Sequence, residues 1–201
     1  MHELKREPAA GAAVAVMPQA KGAIVELSDG VIGIRRFRAE DAATLSEAIR
    51  ESLIELCRWM VWCRLDYGHE DCAKFVAGCD RHWQEGTQHS FAIMDHRDGG
   101  LLGSVGFSDI DRAHKTANLG YWIRTGKTRK GAATAAVRLV VPYAFTRLNL
   151  ERVELVIPIE NRPSLRVAEN AGAVFEGVSK KKVVLGGRSH DAAIYAFVRG
   201  T

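Results

Sequence analysis

The 201-residue sequence predicts a mixed α/β fold of the α+β type, with a mostly antiparallel central sheet of six to seven strands and about four flanking helices. Strand-like alternation or short apolar runs recur at residues 31–37, 90–95, 101–110, 117–123, 152–157, 174–182 and 192–198. Apolar residues at helical spacing lie between several of these stretches. Three consecutive strands joined by short turns predict antiparallel pairing, whereas a strand that follows a helix predicts a parallel crossover.

Composition indicates one globular domain. Hydrophobic residues make up 47% of the chain and charged residues 26%, which is ordinary for a protein of this class. We expect a single domain over residues 23–201, which is long enough for a substantial core. Residues 1–22 mix Ala, Gly, Pro and charge without either period, so we expect a flexible N-terminal extension, with Met17 as an alternative start.

The net charge and the hydropathy of the chain limit the classes of partner that we expect. The net charge of +4 is modest, and aromatic residues are not interleaved with Lys and Arg, so no direct nucleic-acid partner is expected. No apolar run reaches the roughly 18 residues of a membrane span, and residues 9–17 are too weakly hydrophobic for a signal peptide. We therefore expect a cytoplasmic protein with no membrane partner.

The four cysteines are expected to be buried, reduced thiols. They form no Cys-x-x-Cys pair and lie in segments with helical periodicity: Cys57, Cys63, Cys72 and Cys79. This spacing predicts neither a zinc site nor a disulfide framework. No metal is expected.

The first half of the chain predicts helices and then a meander. Glu40 and Asp41 suit the first turn of a helix that follows the first strand, and further helical segments are predicted at residues 53–62 and 69–85. A hairpin turn at Asp98-Gly99-Gly100 then joins two of three antiparallel strands.

The meander leads into a basic turn that ends at Gly131 and opens an alanine-rich helix. Backbone N–H groups, a helix dipole and cationic side chains converge there, which predicts an anionic ligand. The triplet that begins at Gly126 does not complete a nucleotide-triphosphatase loop, because five residues rather than the required four separate it from Gly120.

A βαβ unit and a second helix follow. The helix at residues 133–148 contains Pro142 and leads to the strand at 152–157. Asn161 is the predicted N-cap of the next helix, and Gly172 its C-terminal stop.

From residue 31 to residue 198 the chain resembles the GNAT acetyltransferases, and within them the RimJ/RimL type. The similar motifs are Arg58-Trp59-Met60-Val61-Trp62, Leu119-Gly120-Tyr121-Trp122-Ile123, Thr128-Arg129-Lys130-Gly131-Ala132-Ala133, Asn161-x-x-Ser164 and Glu169-Asn170-Ala171-Gly172-Ala173-x-Phe175-Glu176-Gly177. The resemblance implies a GNAT-like fold and direct, metal-independent transfer of an acetyl group from acetyl-CoA to an amine.

The resemblance also implies the cofactor site. The pantetheine arm would lie along the strand that ends at Ile123, and the backbone amides of residues 129–134 would hold the pyrophosphate. The implied cofactor-binding residues are Trp122, Ile123, Arg124, Thr128, Arg129, Lys130, Gly131, Ala132, Ala133, Thr134, Asn161 and Ser164.

Asn161 and Ser164 are the implied catalytic residues, with Ser164 as the proton donor to the departing thiolate; helix capping is the alternative role. The helix after Asn161 contains no tyrosine that could serve instead. Asn118 stands where many relatives carry a glutamate base, which favours either a weakly basic acceptor, such as a protein or peptide N-terminal α-amine, or a noncatalytic acyl-CoA-binding or sensing domain.

Two tryptophans close together predict either core packing or a wall of the acceptor pocket. The predicted substrate-binding residues are Trp59, Met60, Trp62, Asp66 and Tyr67, where Asp66 would supply a carboxylate for an ammonium group. The sequence leaves the oligomeric state open, with a homodimer among the expectations.

Overall fold

The computed structural model describes residues 26–200. The elements in chain order are β1 (Glu26–Ser28), β2 (Ile32–Arg36), α1 (Asp41–Trp59), α2 (His69–Glu85), β3 (His89–Asp95), β4 (Leu101–Asp111), β5 (Thr116–Ile123), α3 (Ala132–Arg147), β6 (Arg152–Pro158), α4 (Arg162–Ala171), β7 (Val174–Leu185) and β8 (Arg188–Val198). The predicted extension at residues 1–22 lies outside the described residues.

The strands form one sheet in the order β1-β2-β3-β4-β5-β6-β8-β7. Every neighbouring pair is antiparallel except β5 and β6, which are parallel and joined through α3. The predicted mixed fold is therefore confirmed. The sheet has eight strands rather than six to seven, because β1 is only three residues long and its single buried side chain, Leu27, leaves no alternation to detect.

The two faces of the sheet carry separate cores. Val137 and Val140 of α3 pack with Leu119 on one face, and Leu45 of α1 packs with Trp122 on the other. Because successive side chains of a strand point to opposite faces, β5 contributes to both cores. The helix pairs α1–α2 and α3–α4 consequently enclose the sheet from opposite sides.

The helix predicted after Glu40 and the one predicted at residues 53–62 form the single helix α1, which ends at Trp59. The chain turns back at Met60, so that Cys57 and Cys63 lie with Cα atoms 4.7 Å apart and are joined by a disulfide. This corrects the prediction of four reduced thiols. A continued helix would have separated the two residues by about 9 Å, beyond disulfide reach.

Cys72 and Cys79 are buried free thiols, as predicted. Burial raises the pKa of Cys79 to about 12, so this thiol stays protonated at neutral pH. Within residues 26–200, no helix is long and apolar enough to cross a membrane.

Candidate active site

The parallel strands β5 and β6 separate after a short pairing. Their register ends at Asn118, which pairs with Glu154, although β5 continues to Ile123 and β6 to Pro158. Beyond this point β5 is paired only with β4, and β6 only with β8. The facing edges therefore expose backbone N–H and C=O groups that remain open to an extended ligand.

A cavity of about 840 Å³ lies at this separation. Its wall contains residues from β5, β6, the start of α4 and the segment after α1. The lining residues include Trp59, Met60, Trp62, Tyr67, Asp109, Asn118, Tyr121, Trp122, Glu154, Asn161, Ser164 and Lys182. One space thus joins residues that lie far apart in sequence.

Ser164 and Asn161 meet at the first turn of α4. The Asn161 side-chain oxygen Oδ1 accepts a hydrogen bond from the backbone N–H of Ser164 at 3.2 Å, which confirms the predicted N-cap. This bond uses the backbone of Ser164 and leaves its hydroxyl available. Both residues line the cavity, so the cap also fixes their positions there.

Tyr121 supplies a second hydroxyl that the sequence prediction missed. Its Oη lies 2.8 Å from Oγ of Ser164 and donates to the Ser164 carbonyl oxygen at 3.0 Å. Burial raises the pKa of Tyr121 to about 12, so the phenol is protonated at neutral pH. The helix α4 itself contains no tyrosine, and Tyr121 reaches Ser164 from β5.

Asn118 and Glu154 lie at the point where the strands part. Paired residues of a parallel register share one face of the sheet, and both side chains line the cavity. Oδ1 of Asn118 is buried and has no hydrogen-bond partner among the described residues. A buried carbonyl oxygen without a donor is an unfilled acceptor, which a ligand N–H satisfies.

Glu154 is a second residue that the prediction missed. Its carboxylate accepts a hydrogen bond from Nε of Arg152 at 2.8 Å, and Arg152 also binds Glu176. The hydrogen bonding that Arg152 donates to Glu176 is the largest cause of the raised pKa of Arg152. Alternation along β6 already places Glu154 on the face of Arg152, but only the β5–β6 register brings it beside Asn118.

Four of the five predicted acceptor-site residues line the cavity. Trp62 is 39% exposed and its ring lies 5.1 Å from that of Tyr67. Trp59 and Met60 are half-buried. Asp66 does not line the cavity; it is exposed and forms an ion pair with Arg64 at 2.8 Å. The arrangement is that of a pocket wall rather than a closed core.

The basic turn precedes α3 at the end of β5. Gly131 has φ +82° and is the N-cap of α3, and Arg129 has φ +63°. A Cβ built on Gly131 meets no described atom within 4 Å, so the glycine is needed here for its backbone conformation rather than for space. The first intrahelical bond runs from Ala135 N–H to the Gly131 carbonyl, which leaves the preceding helical amides without an intrahelical acceptor.

Residues just before this turn are anchored to α1. The backbone N–H groups of Thr125 and Gly126 donate to Ser52 Oγ and Glu51 Oε1, each at 2.9 Å, and Arg124 forms an ion pair with Glu51. These amides are therefore already used. The predicted ligand donors are left at residues 129–134, where Arg129 and Lys130 form no ion pair with a described residue.

Three further predicted cofactor residues are Trp122, Ile123 and Thr128. Trp122 is 9% exposed and packs in the core beside α1, although it also lines the cavity. Ile123 packs against the other core, and the Thr128 hydroxyl donates to the Thr125 carbonyl oxygen at 2.9 Å.

The described part of the chain contains no group of three or more His, Cys, Asp or Glu side chains that could hold a metal.

Comparisons with known proteins agree with this arrangement. A family described as acetyltransferase (GNAT) domain matches residues 32–174. The Bacillus subtilis (strain 168) protein named "Putative ribosomal N-acetyltransferase YdaF" is 28% identical over 168 residues, which are 84% of this chain and 91% of the relative.

Two solved structures share the fold and a quarter of the sequence. The microcin C7 self-immunity acetyltransferase MccE, in complex with acetyl-CoA and AMP, is 26% identical, with a TM-score of 0.78 and coverage of 85% of this chain and 93% of MccE. Mycobacterium smegmatis RimJ, in complex with CoA-disulfide, is 26% identical, with a TM-score of 0.78 and coverage of 88% and 87%. Because the family match spans most of the chain, including the separated strands and the basic turn, the protein belongs to the GNAT acetyltransferase family and resembles its RimJ/RimL-type members.

Proposed function

We propose that this N-acetyltransferase transfers the acetyl group of acetyl-CoA to the N-terminal α-amine of a protein or peptide. The observation that carries the proposal is the single cavity that joins the open edges of β5 and β6 to the aromatic wall after α1. A cofactor arm and an acceptor entering from different sides would meet in it. The name of YdaF, a putative ribosomal N-acetyltransferase, supports a protein as the acceptor.

The cofactor is proposed to follow β5 toward the basic turn. Pantetheine contains two amide groups, which match the unpaired backbone groups between β5 and β6. The amides of residues 129–134 and the N-terminus of α3 suit the pyrophosphate, since both present positive potential to an anion. Arg129 and Lys130 add two cations at the same end.

An amine is favoured as the acceptor by the polar lining of the cavity. The charged lining residues are Asp109, Glu154 and Lys182, an excess of one negative charge. Oδ1 of Asn118 offers an acceptor for an amine N–H, and the Glu154 carboxylate attracts the ammonium form. Trp59 and Trp62 would contact the neighbouring side chain of a peptide.

The missing glutamate at Asn118 matters less for an α-amine than for a lysine. An α-amine has a pKa of about 7.7–8.0, so roughly a tenth of it is neutral at pH 7, whereas a lysine amine with a pKa near 10.4 is almost wholly protonated. The neutral nitrogen attacks the thioester carbonyl carbon, and the tetrahedral intermediate expels the CoA thiolate. The amine proton leaves through the polar groups beside Asn118.

Tyr121 and Ser164 are proposed to stabilise the departing thiolate. The Tyr121 O–H, which donates to the Ser164 carbonyl oxygen, can rotate to donate to Ser164 Oγ instead, and the serine hydroxyl is then free to donate to sulfur. Full proton transfer from a phenol with a pKa of about 12 to a thiolate whose conjugate acid has a pKa near 8.5 is uphill by about 5 kcal/mol. The pair therefore acts by hydrogen bonding, and the thiolate takes its final proton from solvent.

The test compares the rates of acetyl transfer to different classes of acceptor. Thiol release from acetyl-CoA would be measured with N-terminally free peptides, with the same peptides carrying a blocked N-terminus and an internal lysine, and with spermidine. We expect turnover only with free N-termini, with mass spectrometry locating the acetyl group on the α-nitrogen. Faster turnover of the blocked peptide or spermidine would contradict the proposed acceptor while leaving the acetyltransferase assignment intact.

A further inference from the structure

A second cavity, of about 570 Å³, lies at the far end of α3 from the basic turn. It shares no lining residue with the cavity at the separated strands. Its wall comes from the end of α2, the start of β3, the β4–β5 turn and the last turn of α3. The polar and aromatic lining residues are Trp83, His89, Arg112, Lys115, Tyr143, Arg147 and Asn149.

This cavity is strongly cationic. Arg112, Lys115 and Arg147 line it, and none of its described lining residues is acidic. Lys115 forms an ion pair with the carboxylate of Glu151 at 3.7 Å. The same carboxylate also pairs with Arg199, at 3.4 Å. One carboxylate therefore serves two cations, and Arg112 forms no ion pair with a described residue. Lys115 and Arg112 consequently leave positive charge at the cavity, which favours an anion.

His89 is a buried polar side chain that lines this cavity. It is 7% exposed, and its Nδ1 has no hydrogen-bond partner among the described residues. Its ring lies 4.3 Å from that of Trp83 and 6.4 Å from that of Tyr143. Burial, followed by the charges of Arg112 and Arg36, lowers the pKa of His89 to about 4, so the ring is neutral at pH 7. A buried nitrogen of this kind costs free energy unless a ligand or water satisfies it.

The backbone around the cavity holds an uncommon conformation. Lys115 has φ +55° and Asn149 has φ +54°, and both line the cavity. The Lys115 carbonyl accepts hydrogen bonds from the backbone of Glu151 and Arg152, which fixes the strained residue in place. A positive φ is uncommon for residues other than glycine. Residues that adopt it are found more often at ligand-binding sites than elsewhere.

We propose that this cavity binds a small organic anion made of a flat ring and a phosphate or carboxylate group. The ring would lie beside Trp83 and Tyr143, which both line the cavity. The anionic group would bind Arg112 and Lys115, and Nδ1 of His89 would complete its hydrogen bonds. This site is separate from the acetyl-transfer site and does not depend on the proposed acceptor.

Calorimetry on the CoA-saturated protein tests the proposal, with 1-naphthyl phosphate and 1-naphthoate as probes. Bound CoA blocks the other anion site. We expect each probe to bind at least about tenfold more tightly than 1-naphthol or inorganic phosphate, which each carry half of the recognised chemistry. The probe with the lower dissociation constant identifies the preferred anionic group.

The double variant Arg112→Gln with Lys115→Gln is expected to lose this binding, whereas Arg188→Gln, a charge change in the exposed β7–β8 turn, is expected to retain it. In the wild-type protein, the imidazole NMR signals of His89 should shift on titration, which locates the site without any variant. Binding that leaves the His89 signals unmoved, or no binding at millimolar probe, would overturn the proposal. Equal affinity in the folded double variant would do the same.

Discussion

The Tyr121 hydroxyl lies 2.8 Å from Oγ of Ser164, joining the separated edge of β5 to the first turn of α4. Two hydroxyl groups in contact can exchange donor and acceptor roles, so either one can present a proton to a neighbouring sulfur. The pair links a residue within a strand to a residue held by the Asn161 cap. It is therefore both a packing contact and the centre of the proposed chemistry.

Ser164→Ala is expected to bind acetyl-CoA normally and to lower kcat by about 10²-fold, the lower end of the range for a positioned donor. The Asn161 cap survives because it uses the Ser164 backbone N–H. Tyr121→Phe should have a similar effect, and the double variant should cost less than the product of the two, since the hydroxyls act as a unit. Steady-state kinetics checks this; a loss below about threefold in both single variants would leave them structural roles only.

Gly131→Asp is expected to weaken CoA binding by about tenfold or more relative to Gly131→Asn. The matched pair separates charge from shape, because both side chains meet similar strain in the left-handed backbone that Gly131 adopts, and only Asp adds a negative charge near the pyrophosphate. Calorimetric titration with CoA gives the two dissociation constants. Equal affinities would remove the turn from the cofactor site.

Trp62→Ala is expected to raise the acceptor KM while sparing acetyl-CoA affinity and stability, because the ring is 39% exposed on the cavity wall. Trp83→Ala is the contrasting variant: its half-buried ring packs against Phe91 of the core and does not line the acetyl-transfer cavity, so we expect a loss of stability of up to roughly 3–5 kcal/mol. Kinetics and thermal unfolding distinguish the two. An unchanged acceptor KM in folded Trp62→Ala protein would exclude Trp62 from the acceptor site.

Glu154→Gln is expected to raise the acceptor KM by about tenfold or more, since it removes a charge-assisted contact to the ammonium group. Glu176→Gln is the matched control, because Glu176 also binds Arg152 but does not line the cavity. The control should leave the acceptor KM unchanged. Equal effects of the two variants would mean that Glu154 acts only through Arg152.

His89 predicts a pH dependence of stability. Its folded pKa of about 4 lies below the usual value near 6.5, so between these two pH values the unfolded chain binds a proton that the folded protein excludes. Stability is therefore expected to fall as pH drops from about 6.5 to about 4, by up to about 3 kcal/mol. Urea unfolding across this range checks the slope, and His89→Gln, which cannot titrate, should flatten it.

Local features of the sequence were enough to predict the elements that build the site. Helical spacing and the Asn161-x-x-Ser164 pattern predicted α4 and its cap, because capping is an interaction within a few residues. Alternation and short turns predicted the β3–β4–β5 meander, and the strand–helix–strand order predicted the one parallel pair. The resemblance to GNAT motifs added the cofactor and the reaction class.

The sequence by itself therefore determined the order of the elements from β2 onward, except that two predicted helices are one helix, α1. It also determined the basic turn and the family, since all of these depend on periodicity and short-range spacing. Only the tertiary structure decided which side chains meet. Tyr121 reaches Ser164 across the gap between β5 and α4, and Glu154 lies beside Asn118 through the strand register. The turn after α1 joins Cys57 to Cys63 and turns Asp66 away from the cavity. Such contacts depend on strand register and on where the chain reverses, and neither is encoded in the period of a single segment.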